Sequence, residues 1–185
     1  MRLTHVLLTS IFVLAACSEQ SSNNASSDPQ TTVMTSSPDA VLQDVLAQQP
    51  DTVQARYAYR HPLETLSFFG IEPGMTVVEA LPSGGWYSKI LLQYLGENGH
   101  LIGADFDLKL RAILGYNAER LAEFAQWTGQ WPVETTAWGV ANAASADAFN
   151  FGSMPESING QADAVLFIRA LHAMARTSDQ GDFLN

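Results

Sequence analysis

Two acids and a run of small residues are the part of this sequence best suited to chemistry. Glu79 lies in an apolar segment, Val77-Val78-Glu79-Ala80-Leu81, which is followed by Pro82-Ser83-Gly84-Gly85 and then Trp86. Asp105 stands 26 residues after Glu79, closing a second apolar segment, Leu101-Ile102-Gly103-Ala104. A strand that runs through a small-residue turn into a helix aims the free N–H groups of the helix at the turn. A ligand can approach the backbone closely there, and negative charge is favoured. An acid at the end of the next strand is placed to accept hydrogen bonds from the two hydroxyls of a ribose. The alternative is a steric role alone, since paired glycines open many helices with no ligand involved. The chain lacks Gly-x-Gly-x-x-Gly, which disfavours NAD or FAD, and lacks a phosphate-binding loop with Lys and Ser/Thr, which disfavours ATP or GTP.

Further chemistry-bearing residues follow a later apolar segment, Ala164 to Ile168. His172 is either a general base with a pKa near operating pH or a loop histidine bonded to backbone. Arg169 either orients a carboxylate or phosphate on a substrate or forms an ion pair at the sheet edge. Earlier in the chain, Pro62 and Glu64 are explained as the first helical position and a favourable first-turn acid. Arg60 and His61 are left to cap or line a pocket. Trp86 and Tyr87 are placed either to stack on a ligand or to pack in the core. Zinc chemistry lacks its His and Cys clusters, and hydrolase chemistry lacks the Gly-x-Ser-x-Gly elbow. Asp105 and Asp107 form an acid pair for which no further metal ligands are apparent.

The elements that must position these residues are readable from periodicity. Val41, Leu42, Val45 and Leu46 predict a helix over 40–49, and a second short helix is predicted over 64–69 with Gly70 at its C-cap. Met75 to Leu81 reads as a buried strand, Trp86 to Leu95 as a helix, and Leu101 to Asp105 as a second strand. A long helix is expected from Leu108 to about Trp127, a third strand from Val133 to Trp138, mostly loop over 139–160, and a fourth strand from Ala164 to Ile168. This order predicts an α/β fold with a Rossmann-like, open, mostly parallel sheet and flanking helices. In such sheets ligands bind outside the carboxyl ends of the strands, where the candidate residues fall.

With Arg60-His61-Pro62-Leu63-Glu64, Pro73-Gly74-Met75, Gly84-Gly85-Trp86-Tyr87, Ala104-Asp105 and Arg169-Ala170-Leu171-His172 in place, residues 55–185 resemble the class I S-adenosylmethionine-dependent methyltransferases. Within that class they are most similar to the predicted exported methyltransferases of bacteria. The resemblance implies S-adenosylmethionine as cofactor, with Glu79, Ser83, Gly84 and Gly85 at its methionine end and Asp105 on its ribose. It places adenine near Asp147 and Ala148, and substrate-facing groups at Arg169 and His172. Class I enzymes generally carry glycine at the positions of Leu81, Ser83 and Gly85, of which only Gly85 is glycine here. The resemblance also implies strands beyond the fourth, so the domain reads as shortened after it.

The N-terminus concerns location. Arg2, the apolar run Val6 to Leu14, and Ala15-Ala16-Cys17 have the layout of a secretory signal, and the run is shorter than the roughly 20 residues that cross a bilayer. The segment resembles a bacterial lipobox, which implies cleavage after residue 16 and a lipid on Cys17. A plain cleaved signal with a stray cysteine is the alternative. Residues 17–38, rich in Ser, Asn, Gln and Thr, read as a disordered tether, and 39–185 as one domain. The net charge of -10 disfavours nucleic acid as a partner. The expected partners are the membrane, through the lipid, and a small-molecule or protein methyl acceptor. The rival expectation is a non-catalytic envelope lipoprotein that keeps the fold and binds another small ligand or a protein.

Overall fold

The computed structural model describes residues 36–170. The signal segment, Cys17, most of the tether and His172 lie outside the described residues.

Four strands, β1 (Thr76–Ala80), β2 (His100–Asp105), β3 (Ser145–Asn150) and β4 (Ala164–Leu166), form one sheet in the order β3-β2-β1-β4. Every pairing is parallel, with Val77 opposite Leu101 and Ala164, and Leu101 opposite Ala146. The fold is therefore an α/β, Rossmann-like parallel sheet with flanking helices, as the element order predicts. The crossing from β3 back past β2 and β1 to β4 makes the β1–β4 gap the place where strand order reverses. The crevice outside the carboxyl ends of these strands is where such sheets bind ligands.

Helices cover one side of the sheet. In α1 (Pro38–Ala47), Ser37 caps the first turn by accepting from the Ala40 N–H, and Leu42, Val45 and Leu46 are buried at helical spacing. Two four-residue turns of helix, α2 (Asp51–Gln54) and α3 (Tyr57–Arg60), lead into α4 (Pro62–Phe68), which starts at a proline after left-handed His61. Helix α5 (Trp86–Leu95) lies against the sheet and buries Tyr87, Ile90, Leu91, Leu92, Tyr94 and Leu95. These residues form a single apolar cluster with Leu42, Leu66, Ile71, Val77, Leu101 and Leu166. On the other side Val78, Ile102, Ala104 and Phe149 form a smaller cluster, flanked by Phe151 and by Ile158 of a 3-10 turn (Glu156–Ile158).

The segment between β2 and β3 departs from expectation. The long helix is divided into α6 (Leu108–Ile113) and α7 (Ala118–Phe124). Gly115 is left-handed at φ 86, and the Asn117 side chain accepts from the Arg120 N–H to start a new helix. Val133 to Trp138 is not a strand, because 127–137 forms helix α8 (Trp127–Ala137). Thr135 and Thr136, whose β-branched side chains read as strand signals, instead donate their hydroxyls to the Pro132 carbonyl oxygen. The third strand is β3, inside the stretch read as loop. Its Ala146 and Ala148 are small enough to lie beneath the helical layer. The weak intrinsic strand preference of Ser-Ala-Asp-Ala-Phe-Asn is overridden by pairing along the whole of β2.

Trp131 carries this arrangement. It is 2% exposed, flanked by Trp127 and Trp138, and seated on Gly103 of β2, where an added Cβ would meet its ring at 3.2 Å. Replacing Trp131 with Ala is expected to lower stability by about 3–5 kcal/mol in urea denaturation. Val133→Ala, at a position 69% exposed, is expected to change stability by less than about 0.5 kcal/mol. A buried strand at 133–138 would give the opposite ranking.

Candidate functional site

The turn after β1 is held in an unusual backbone conformation. Leu81 and Ser83 have φ of 54°, and Gly85 has φ of 70°. A branched or β-carbon-bearing residue at positive φ is disfavoured by about 1–2 kcal/mol, so such residues persist only where the surroundings enforce them. The enforcement is visible at both ends. The Leu81 N–H donates to the Ala104 carbonyl at 2.7 Å, which ties the strand exit to β2. The Gly85 N–H donates to Pro82 at 2.9 Å, and Gly85 then accepts from the Lys89 N–H as α5 begins. Gly85 is required for space as well, since a Cβ there would lie 2.5 Å from the Trp138 ring. No side chain caps α5. The alternate positions at which the resembled family carries glycine are thus the left-handed positions here, two of them held by non-glycine residues.

Glu79 is 6% exposed. Its Oε2 accepts from the Ser88 hydroxyl at 2.6 Å, one turn into α5. Burial pushes its carboxyl up to about 7, partly opposed by the Ser88 hydrogen bond and the positive charge of Arg60. Asp105, at the carboxyl end of β2, is half-buried. Its Oδ1 accepts from the Phe106 N–H at 2.6 Å and pairs with Arg111 Nη2 at 2.7 Å. Burial raises the Asp105 carboxyl, and Arg111 opposes that rise. Arg111 is itself 6% exposed and sits 3.5 Å from the centre of the Phe124 ring, so α6 and α7 hold the acid from behind. Both known contacts fall on Oδ1.

A cavity of about 300 Å³ opens at the carboxyl ends of β1 and β4, lined by Arg60, Glu79, Leu81, Pro82, Ser83, Tyr87 and Ile168 to Ala170. The structure therefore brings Glu79, Ser83 and Arg169 together around one cleft, with Gly84 and Gly85 in the adjoining turn and Asp105 at the end of the neighbouring strand. It does not bring Asp147 there. Asp147 sits in mid-strand opposite Ile102, and its Oδ2 lies 2.9 Å from His100 Nε2, whereas Asn150 occupies the end of β3 opposite Asp105. Asp107 serves as the N-cap of α6, accepting from the Leu110 N–H at 2.7 Å. No metal-holding cluster occurs among the described residues. His61 is turned outward, 3.8 Å from exposed Glu64. Tyr87 is buried, and its hydroxyl donates to the Arg60 carbonyl at 2.8 Å, so its main role is in packing.

Sequence reasoning passed over Ser88 and Arg111. The signal for Ser88 is a small polar residue inside the apolar run of α5. Arg111 offers no comparable signal, because its link to Asp105 depends on the turn capped by Asp107.

Two outcomes follow from the turn. Gly85→Ala is expected to lower stability by about 2–4 kcal/mol, from left-handed strain and the Trp138 clash together. Ser83→Gly, at an exposed position, is expected to leave stability unchanged or raise it by up to about 1 kcal/mol. Thermal and urea melts distinguish the two. The buried acid gives a third. Below pH 4.5 the Glu79 carboxyl is neutral both folded and unfolded. Between 4.5 and about 7 the unfolded chain ionises first, so stability falls as pH rises, by on the order of 3 kcal/mol, and the loss persists above 7. In Glu79→Gln the stability difference between pH 5 and pH 8 is expected to shrink by that amount. Equal differences in the two proteins would refute a buried, titrating Glu79.

No protein-family model matches the chain, and no curated protein matches it. Among solved structures it is similar to a SAM dependent methyltransferase from Aquifex aeolicus, at 20% identity and a TM-score of 0.36, over 65% of this chain and 51% of that one. The chain thus spans about half the length of that structure.

Proposed function

We propose that the cleft binds S-adenosylmethionine and that the protein transfers its methyl group to an acceptor. The observation that carries this reading is the pairing of two acids about one strained turn. Glu79 and Asp105 stand on adjacent parallel strands, beside a backbone that is left-handed at 81, 83 and 85.

The residues present fit such a cofactor. Asp105, braced through Oδ1, offers a carboxylate to a vicinal diol. The uncapped first turn of α5 and the exposed Ser83–Gly84 backbone offer N–H groups to a polar methionine end. Glu79 offers a buried acceptor beside them. When bound, the cofactor supplies an electrophilic methyl on a sulfonium. The chain's own part is positioning: Asp105 and the turn fix the ligand, and Tyr87, Leu81 and Pro82 exclude water from one wall of the cleft. Glu79, with its pKa near 7, holds or releases a proton at neutral pH according to what is beside it. His172 stands two residues beyond the described chain, and its role as general base belongs to this proposal. The lipobox-like leader supports a location on the outer side of the membrane, tethered through Cys17; fatty-acid labelling lost in Cys17→Ser tests the tether.

The decisive experiment is titration calorimetry of the purified chain with S-adenosylhomocysteine, beside Asp105→Asn, chosen to keep the shape around Arg111. Micromolar binding, weakened at least tenfold by the substitution, is the expected result. Failure of the folded chain to bind would refute the reading.

A further inference from the structure

The cleft has a second wall that the proposed cofactor contacts do not use. Arg60 comes from the end of α3 and Arg169 from the segment after β4, and both line the same cavity as Glu79 and the turn. Arg60 is firmly placed. Its carbonyl accepts from the Tyr87 hydroxyl at 2.8 Å and from Thr65 Oγ1 at 3.3 Å. Its guanidinium carbon lies 4.6 Å from the centre of the Trp86 ring and 5.8 Å from that of Tyr87. Its Nε is buried with no hydrogen-bond partner. Arg169 is held at φ 58°, a conformation disfavoured for a long side chain.

Among the described residues neither guanidinium forms an ion pair within 4.0 Å. The chain carries 19 acids against nine Lys and Arg, yet Arg60, Arg169 and nearby Arg56 gather at this one place. Burial lowers the pKa of Arg60, the like charges of Arg56 and Arg169 lower it further, and Tyr87 and Glu79 oppose that fall. Glu79 is the one acid among the lining residues, and with its carboxyl pushed up to about 7 it offsets two guanidiniums only in part, so an anion between them relieves the remaining excess of positive charge.

We propose that Arg60 and Arg169 bind the carboxylate of a small organic acid, and that a second, nucleophilic group of this acid (hydroxyl, thiol or amine) accepts the methyl; the second half rests on the cofactor reading above. The bond from that group to the methyl carbon forms as the carbon–sulfur bond of the sulfonium breaks, with S-adenosylhomocysteine leaving and the nucleophile's proton passing to Glu79 or to water. A guanidinium fixed over an aromatic face keeps its N–H fork for a planar carboxylate. Leu81, Pro82 and Ile168 supply an apolar wall for a hydrocarbon stem. Glu79 in the same cavity favours a singly charged carboxylate over a doubly charged phosphate. On this reading the two arginines hold the acceptor's carboxylate while the turn and Asp105 hold the cofactor.

The test is titration of the full chain with hexanoate and, as the uncharged match, hexanamide. Hexanoate is expected to bind at least tenfold more tightly. Arg60→Lys, which keeps the charge but loses the fork, and Arg169→Asn, which tolerates the left-handed backbone, are each expected to weaken hexanoate at least fivefold with melting temperatures unchanged. Equal binding of acid and amide, or binding untouched by both substitutions, would overturn the anion site. Saturating S-adenosylhomocysteine is expected to leave hexanoate affinity unchanged. Mutual exclusion would show that the pair holds the cofactor's own carboxylate, overturning the acceptor assignment. A chain that binds hexanoate but not S-adenosylhomocysteine would refute the cofactor reading while leaving the arginine site standing.

Discussion

The close approach of two tryptophans to two glycines fixes the rest of this structure. Trp131 lies on Gly103 and Trp138 on Gly85, so α8 is seated against the middle of β2 and against the entry to α5 at once. The seat leaves no room for a side chain at either glycine. Because Gly85 is also the residue from which α5 departs, the same contact that closes the helical layer sets the direction of the helix whose first turn faces the cleft. Close packing of this kind transmits a shift at any one of the four residues to the others.

The site's electrostatics depend on that rigidity. Glu79 and Asp105 are both carboxyls drawn out of water, yet they are handled differently. Glu79 is given the Ser88 hydroxyl and the more distant charge of Arg60, and is still pushed up to about 7. Asp105 is given a buried arginine that is itself braced by an aromatic ring, which opposes the same desolvation. Two acids on neighbouring strands are thus set for separate work: one near its titration point, the other backed by a fixed positive charge.

Much of the fold was legible because its signals are local. Ser37, Pro38 and the Leu42–Val45–Leu46 stripe specify α1 without help, and Val77 to Ala80 leaves little choice but a buried strand. The turn and both acids were found because they sit where strand periodicity stops. The segment 108–150 was misread where tertiary context decides. Val133-Glu134-Thr135-Thr136 has strand composition but lies in a helix because Trp131 must reach Gly103. Ser145 to Asn150 has loop composition but forms a strand because β2 needs a second neighbour with small side chains on the helical side. The division at Gly115 and Asn117 was readable in principle, as a left-handed stop followed by a cap. Leu81 and Ser83 are the subtler case. A pattern keyed to alternating glycines counts them as departures, although their backbone takes the glycine conformation.

Strand β4 contributes only three residues to the sheet. It is held at its start by reciprocal bonds between Thr76 and Asp163, in which the Thr76 N–H reaches Asp163 Oδ2 at 2.7 Å across 87 residues of chain. Closing so long a loop for so few ladder bonds makes this edge a late arrival in folding and an early departure in native-state fluctuation. Amide exchange at Val165 and Leu166 is therefore set by detachment of one short strand, independently of the β1–β2 core. Each such detachment carries Arg169 away from Arg60, so the cleft keeps both of its arginines only while this three-residue strand is docked.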